Sequence, residues 1–197
     1  MKQQSEEVQA DSLVADADDV LAATGILQNP YLTALESGSM SLETFRRTQQ
    51  QFYFAVDFFS RPMSALMMRL PRAEQRLGIL ENVVEEHGHF QTSAFHEATF
   101  RQFLASLGAD SRPPDQAMMR PAVHAFNSTI MAACLSDDLD IGVACLGVIE
   151  HAFADISALI GQAVVRRQWI SGEDLIHYKL HAEIDKQHAA DFFRLLL

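Results

Sequence analysis

Apolar and polar positions follow a helical period along almost all of this chain, with apolar residues returning every three to four places. No stretch alternates strictly, as a half-buried strand would require. The pattern predicts a first helix over 11–24, a short one near 29–36, and a long one over 42–69 with Ser41 as its N-cap and Pro71 just beyond its end. In the long helix Phe52, Phe54, Ala55, Phe58, Phe59, Met63, Leu66 and Met67 form a broad apolar stripe, read as core with part of it free to line a substrate cavity. A further helix runs over 73–87, falters at Gly88 and resumes to Leu107. After a proline-bearing loop at 109–116 come helices over 117–135 and 139–168. A last one begins at Ser171, where Ser171-Gly-Glu-Asp174 reads as a capping box. The polar residues 1–10 read as a disordered tail, which leaves 11–197 as one all-α domain, a bundle of about seven helices.

The bulk properties narrow the partners. A chain of 197 residues, 48% hydrophobic, is enough for one substantial core. Its net charge of -11 disfavours nucleic acid and anionic membrane surfaces, both of which need clustered Lys and Arg. The most apolar run, 141–165, is interrupted by Glu150, His151 and Asp155, so no membrane partner is expected. The N-terminus lacks the basic and apolar pieces of a signal peptide, and Cys134 and Cys145 lack a metal-type spacing. Both cysteines read as small core residues, and a cytoplasmic location is the expectation.

Three clusters carry candidate chemistry. His181, Asp185 and His188 are spaced by four and three, which puts all three on one helical face. Imidazoles and a carboxylate at that spacing suit a transition metal; a solvated helix face that happens to carry two histidines is the competing explanation. Glu150 interrupts an apolar helix, where an ionised and unpaired carboxylate costs on the order of several kcal/mol. Either a cation or an arginine such as Arg69 or Arg120 would offset that cost. The third cluster is Glu85-Glu86-His87-Gly88-His89, followed by His96. Five of the eight histidines fall in 87–96 and 181–188, which accident explains poorly. Three helices offering such groups to one interior match the way bundles build dinuclear carboxylate sites. His124 and His177 read as core or surface groups, and His151 points about 100° away from Glu150 around the helix.

These residues resemble the haem-oxygenase-like di-iron oxidases and oxygenases. That family includes fatty-acid decarboxylases that form terminal alkenes, N-oxygenases of amines, and a chlamydial death-domain-associating protein. Its pattern of Glu, His, a second Glu and a final His-x3-Asp-x2-His maps onto Glu86, His96, Glu150, His181, Asp185 and His188. The flanks around Glu81–Gly88 and His96–Gly108, and the aromatic helix around Phe52–Met67, agree with the family as well, so the likeness spans about 28–196. The resemblance implies that those six residues hold two Fe(II) ions, Glu150 bridging, and act on O2. The reaction implied is C–H abstraction, desaturation with C–C cleavage, or N-oxygenation of a small amino-acid- or fatty-acid-like substrate. Manganese fits the same N/O donors.

The first carboxylate stays open between Glu86, which the family alignment selects, and Glu85, which lies eleven residues from His96, close to three full turns. A bend at Gly88 would let Glu86 reach, with His89 as a supporting group or substitute ligand, and would leave one iron loosely held. No His precedes His87, which sets a true haem oxygenase aside. The p-aminobenzoate-forming relatives carry a Lys ten residues after the second Glu, where this chain has Ile160, which argues against their self-sacrificing chemistry. A metal-free, thiaminase-like use of Cys134 or Cys145 arises only if the metal fails.

Two other readings remain. A ferritin-like bundle would use Glu86-x-x-His89, Asp185-x-x-His188, Glu150 and Glu43, leaving His96 and His181 unexplained. A metal-free helical interaction protein would treat the polar clusters as buried networks. The substrate-anchoring candidates are Arg69, Arg120 and Arg166, and a homodimer is expected on general grounds.

Overall fold

A computed structural model describes residues 2–110, 112–136 and 138–197. Among them every regular element is helical: α1 (Lys2–Thr24), α2 (Pro30–Glu36), α3 (Leu42–Arg69), α4 (Leu77–Glu86), α5 (His96–Ser106), α6 (Pro121–Leu135), α7 (Leu139–Arg166) and α8 (Ile176–Arg194), with short 3-10 turns between some of them. The architecture is the all-α, haem-oxygenase-like bundle, with eight α-helices where the periodicity predicts about seven.

Local chemistry accounts for several boundaries. The Asn29 side chain accepts hydrogen bonds from the backbone of Tyr31 and Leu32, and Pro30 opens α2. Ser41 caps α3 by accepting from Thr44 N at 3.1 Å, and the helix stops at Leu70, whose extended backbone precedes Pro71. Arg120 is likewise extended before Pro121, so α6 begins later than the apolar pattern indicates.

Three further boundaries differ from the periodic reading. First, α1 continues through residues 2–10, a polar stretch that contains neither Gly nor Pro and offers helix formers such as Gln, Glu and Ala. Second, the faltering at Gly88 is a full interruption. Gly88, His89 and Phe90 all take positive φ (54°, 48° and 69°), so α4 stops at Glu86 and α5 starts afresh at His96. Third, α8 starts at Ile176 rather than Ser171. The Ser171–Asp174 hydrogen bonds form as expected but close an isolated turn. Leu175, the residue before α8, seats against Gly161 of α7, where an added Cβ would come within 2.9 Å of its Cδ2.

The core surrounds α7 and α8, which pack along one another. Gly147 allows the close approach, since a Cβ there would lie 2.7 Å from a ring carbon of Phe193. α3 lays Phe45, Tyr53, Phe54, Met63 and Leu66 into the interior, each buried aromatic or aliphatic side chain contributing about 1.5–3 kcal/mol. Cys134 is a buried core residue and Cys145 is half-buried; neither is in a disulfide. Among the described helices α7 alone is long and apolar enough to cross a membrane, and half of its apolar window is buried inside the bundle.

Candidate metal centre

Four helices bring the candidate ligands into one buried pocket. Glu86 is the last residue of α4, His96 the first of α5, Glu150 lies in mid-α7, and His181, Asp185 and His188 lie on α8. All six are buried, Asp185 completely. They fall into two groups, Glu86 with His96 and His181, and Glu150 with Asp185 and His188, and within each group one donor atom per residue lies within 4.8 Å of the others. The α8 triplet is therefore divided: His181 faces the first group, while Asp185 and His188 face the second.

The interruption between α4 and α5 chooses the first carboxylate. Glu86 turns inward at the end of its helix, with Oε1 2.8 Å from His96 Nδ1. Glu85 lies on the neighbouring face, its Oε2 2.5 Å from His188 Nε2. That contact leaves Nδ1 of His188 turned towards Glu150 and Asp185, at 3.9 and 3.8 Å. A carboxylate bound to the outer nitrogen of a histidine orients the inner one for a metal. Asn82, one turn before Glu86, donates to Glu150 Oε1 at 3.3 Å.

Electrostatics favour a cation. Burial, then repulsion from Asp185 and Glu86, holds the Glu150 carboxyl well above its ordinary value. Burial and the Glu86 charge push Asp185 in the same direction. Burial also opposes ionisation of Glu86, but the adjacent His96, bonded to it, and then His181 and His188 outweigh that and hold it low. For His96 burial acts downward, and Glu86 with Asp185 and Glu85 overcomes it, so the imidazole rises. Burial, then the nearby His96, lowers His181 to about 3 and keeps it neutral. Among the six candidate ligands two buried polar atoms have no hydrogen-bond partner, Nε2 of His181 and Oδ2 of Asp185. Such orphaned atoms, a neutral imidazole and mutually repelling carboxyls are what a bound divalent cation resolves, and the N/O donors suit iron.

The remaining candidates lie elsewhere. His89 is exposed, and Glu43 is exposed and paired with Arg46, so the ferritin-like set is not brought together. His87 bonds its own helix at Val83 O, and His124 is exposed. His151 bonds Asp18 of α1 at 2.7 Å, away from the pocket. Arg69 and Arg166 donate to the carbonyls of Cys134 and Glu36, and Arg120 is exposed; the groups acting on Glu150 are carboxylates and Asn82 rather than these arginines.

His177, which the sequence reads as a core or surface group, is fully buried with its ring centroid 4.4 Å from that of His181. Burial, then the neighbouring His181 and His96, keeps it neutral. Its spacing of four from His181 was the available signal. Against this edge of the centre lies an apolar cavity of about 260 Å³, walled by Phe52 and Phe59 of α3, Phe153 and Ile156 of α7, and Phe126 of α6. A second, polar cleft with Asp57, Arg61 and Glu97 on its wall also reaches Glu86.

Residues 46–197 match the family of iron-containing redox enzymes. The chain is also similar to the 4-aminobenzoate synthase of Chlamydia muridarum, 23% identical over 175 residues that cover 88% of this chain and 73% of the relative. It is 26% identical to that of Nitrosomonas europaea over 152 residues, 72% of this chain and 60% of the relative. With the 4-aminobenzoate synthase of Chlamydia trachomatis serovar D it shares 23% identity over 175 residues, 88% of this chain and 74% of the relative. The helical bundle, the buried N/O donors and a family match over most of its length together make this chain a member of the iron-containing redox enzymes, an iron-dependent oxidoreductase.

Proposed function

We propose that the chain is a non-haem di-iron oxidase or oxygenase that uses O2 to oxidise a small organic substrate held in the apolar cavity. Glu86, His96 and His181 would hold one iron, and Glu150, Asp185 and His188 the other. The observation that carries this reading is the pair of buried three-residue groups side by side at the junction of α4, α5, α7 and α8.

The bound iron supplies the redox chemistry with O2. The protein supplies the rest. Glu85 holds the outer nitrogen of His188 and so aims its inner one. Asn82 steadies Glu150 against rotation. Phe52, Phe59 and Phe153 exclude water from the wall on which a substrate rests beside Glu86, Glu150 and His181. The apolar wall would take the hydrophobic part of a small substrate.

The relatives' activity, 4-aminobenzoate synthesis, is a second reading, favoured by their names alone. Against it, Ile160, which stands where the resemblance puts a lysine, is a buried residue of the hydrophobic core that includes Tyr53 and Phe54.

Anaerobic Fe(II) titration followed by iron analysis and thermal melting tests the proposal. Two irons per chain with a raised Tm are expected, since a ligand of the native state alone must stabilise it. His181→Ala is expected to lose the first iron and His188→Ala the second. A chain that binds no Fe(II), or an unaltered iron content in both variants, overturns the ligand assignment. Assaying the loaded protein with O2 and a reductant for 4-aminobenzoate separates the two readings.

A further inference from the structure

The apolar cavity and the polar cleft both reach Glu86, and they differ in what can cross them. The cavity, walled by Phe52, Phe59 and Phe153, has no charged lining residue apart from the candidate ligands. A divalent ion crossing such a wall loses its water with nothing in return, a cost of many kcal/mol. The cleft, between α3 and the junction of α4 with α5, has a volume of about 480 Å³. An ion carrying six waters of roughly 30 Å³ each occupies roughly 180 Å³ and fits there.

Oxygen and nitrogen donors line the cleft. Asp57, Ser60 and Arg61 share one face of α3, and Glu97 joins them from the first turn of α5. His87 gives its Nδ1 proton to Val83 O at 2.7 Å, so in the neutral ring Nε2 keeps a lone pair. Side-chain exposure falls from 61% at Arg61 through 27% at Asp57 and 23% at Glu97 to 7% at Glu86, so the cleft runs from solvent to a candidate ligand. Its three carboxylates outnumber the two guanidinium groups beside them, Arg61 on Asp57 at 3.5 Å and Arg101 on Glu97 at 2.6 Å. That balance draws in cations and repels anions.

We propose that this cleft is the route by which Fe(II) enters and leaves the centre, with Glu86 the first ligand it meets. The inference rests on the di-iron function proposed above. Asp57 and Glu97 attract the hydrated ion, and the polar wall replaces its waters one after another. Glu86, at the end of α4 beside the left-handed turn, then shares it with His96 and His181. The apolar cavity is left to the substrate.

Rates of Fe(II) uptake and release test the route. Anaerobic Fe(II) is mixed with the metal-free chain, and samples freed of unbound metal at intervals are assayed for iron; release is followed with excess chelator. Ser60→Phe, which fills the cleft, is expected to slow uptake and release alike by about tenfold or more, because an obstructed path raises the barrier in both directions. Its final iron content is expected to stay the same. Asp57→Asn is expected to slow uptake about two- to fivefold in low salt and Arg61→Gln to speed it by a similar factor, both effects shrinking in about 0.5 M salt. These two charge variants, which move the rate in opposite directions, carry the test if Ser60→Phe does not fold. Ile26→Trp, which fills the apolar cavity instead, is expected to leave uptake unchanged. Uptake slowed by Ile26→Trp and not by Ser60→Phe overturns the route, and so do charge variants that load at the rate of the unaltered chain. A chain that takes up no Fe(II) overturns the di-iron reading and the route together; two irons loaded at a rate indifferent to every variant overturn the route alone.

Discussion

Glu85 and His188, 103 positions apart in the chain, meet with carboxylate Oε2 2.5 Å from imidazole Nε2. The contact fixes the ring so that Nδ1 faces Glu150 and Asp185. Glu85→Gln keeps the shape but weakens the bond and the basicity it lends to His188. A loss of about 10–100-fold in Fe(II) affinity is expected, typical for groups supporting a metal ligand, with little change in the Tm of the metal-free protein. Competition against a chelator of known affinity measures it.

Under the proposed di-iron reading, the two irons should not be held equally. Glu86 ends α4 immediately before a left-handed run, whereas Glu150 sits in mid-helix and Asp185 is wholly buried. A ligand at the end of a helix next to strained backbone moves more easily than one inside a packed helix. Removal of iron by a chelator is expected in two phases, and His96→Ala should abolish the faster one. A single phase accounting for both irons would contradict this.

The turn itself invites two opposite substitutions. Gly88 has φ +54°, and a Cβ there would lie 2.5 Å from the carbonyl carbon of Ala94, so Gly88→Ala is expected to cost about 1–3 kcal/mol or more and to lower the iron content. Phe90, also left-handed at φ 69°, is 81% exposed. Phe90→Gly removes backbone strain while giving up little packing, and a gain of about 0.5–1 kcal/mol is expected in urea unfolding.

The metal-free protein should lose stability as pH rises above neutrality. Asp185, raised from 3.8 to about 9, and Glu150, raised well above 4.5, keep protons in the folded state that the unfolded chain releases. The stability they contribute is complete below the ordinary carboxylate range and is lost as pH climbs from there to the raised folded-state values, at up to about 1.4 kcal/mol per pH unit for each group. His96, raised above 6.5, acts with the same sign. His181, lowered to about 3, acts oppositely, but its contribution is already complete above its ordinary 6.5. The Tm of the metal-free protein is therefore expected to fall between about pH 6.5 and about 9, and saturating Zn(II) or Fe(II) should abolish the slope by ionising the carboxyls. A flat profile without metal would contradict the burial of unneutralised acids.

Much of this was legible from residues near one another in the chain. Ser41, Asn29 and the prolines are local signals, and the helices they bound lie where the periodicity puts them. The four-and-three spacing on α8 and the lone carboxylate at 150 flagged residues that do converge. What the chain could not show is how a helix end is used. Glu85 and Glu86 are adjacent and chemically alike; only the left-handed turn at Gly88, His89 and Phe90 sends one to His96 and the other to His188. The Ser171 capping pattern is genuine locally, yet Leu175 packs on Gly161 and α8 starts five residues after Ser171.

The sequence by itself determined an all-helical bundle with a nitrogen- and oxygen-rich interior, because apolar period, caps and ligand spacing act within one or two helical turns. Only the tertiary structure decided how six residues from four helices divide into two groups, and that His177 sits beside them with an unpaired nitrogen. Those outcomes depend on where α4, α5, α7 and α8 meet. Contacts between residues tens of positions apart govern that meeting, and a linear pattern does not encode them.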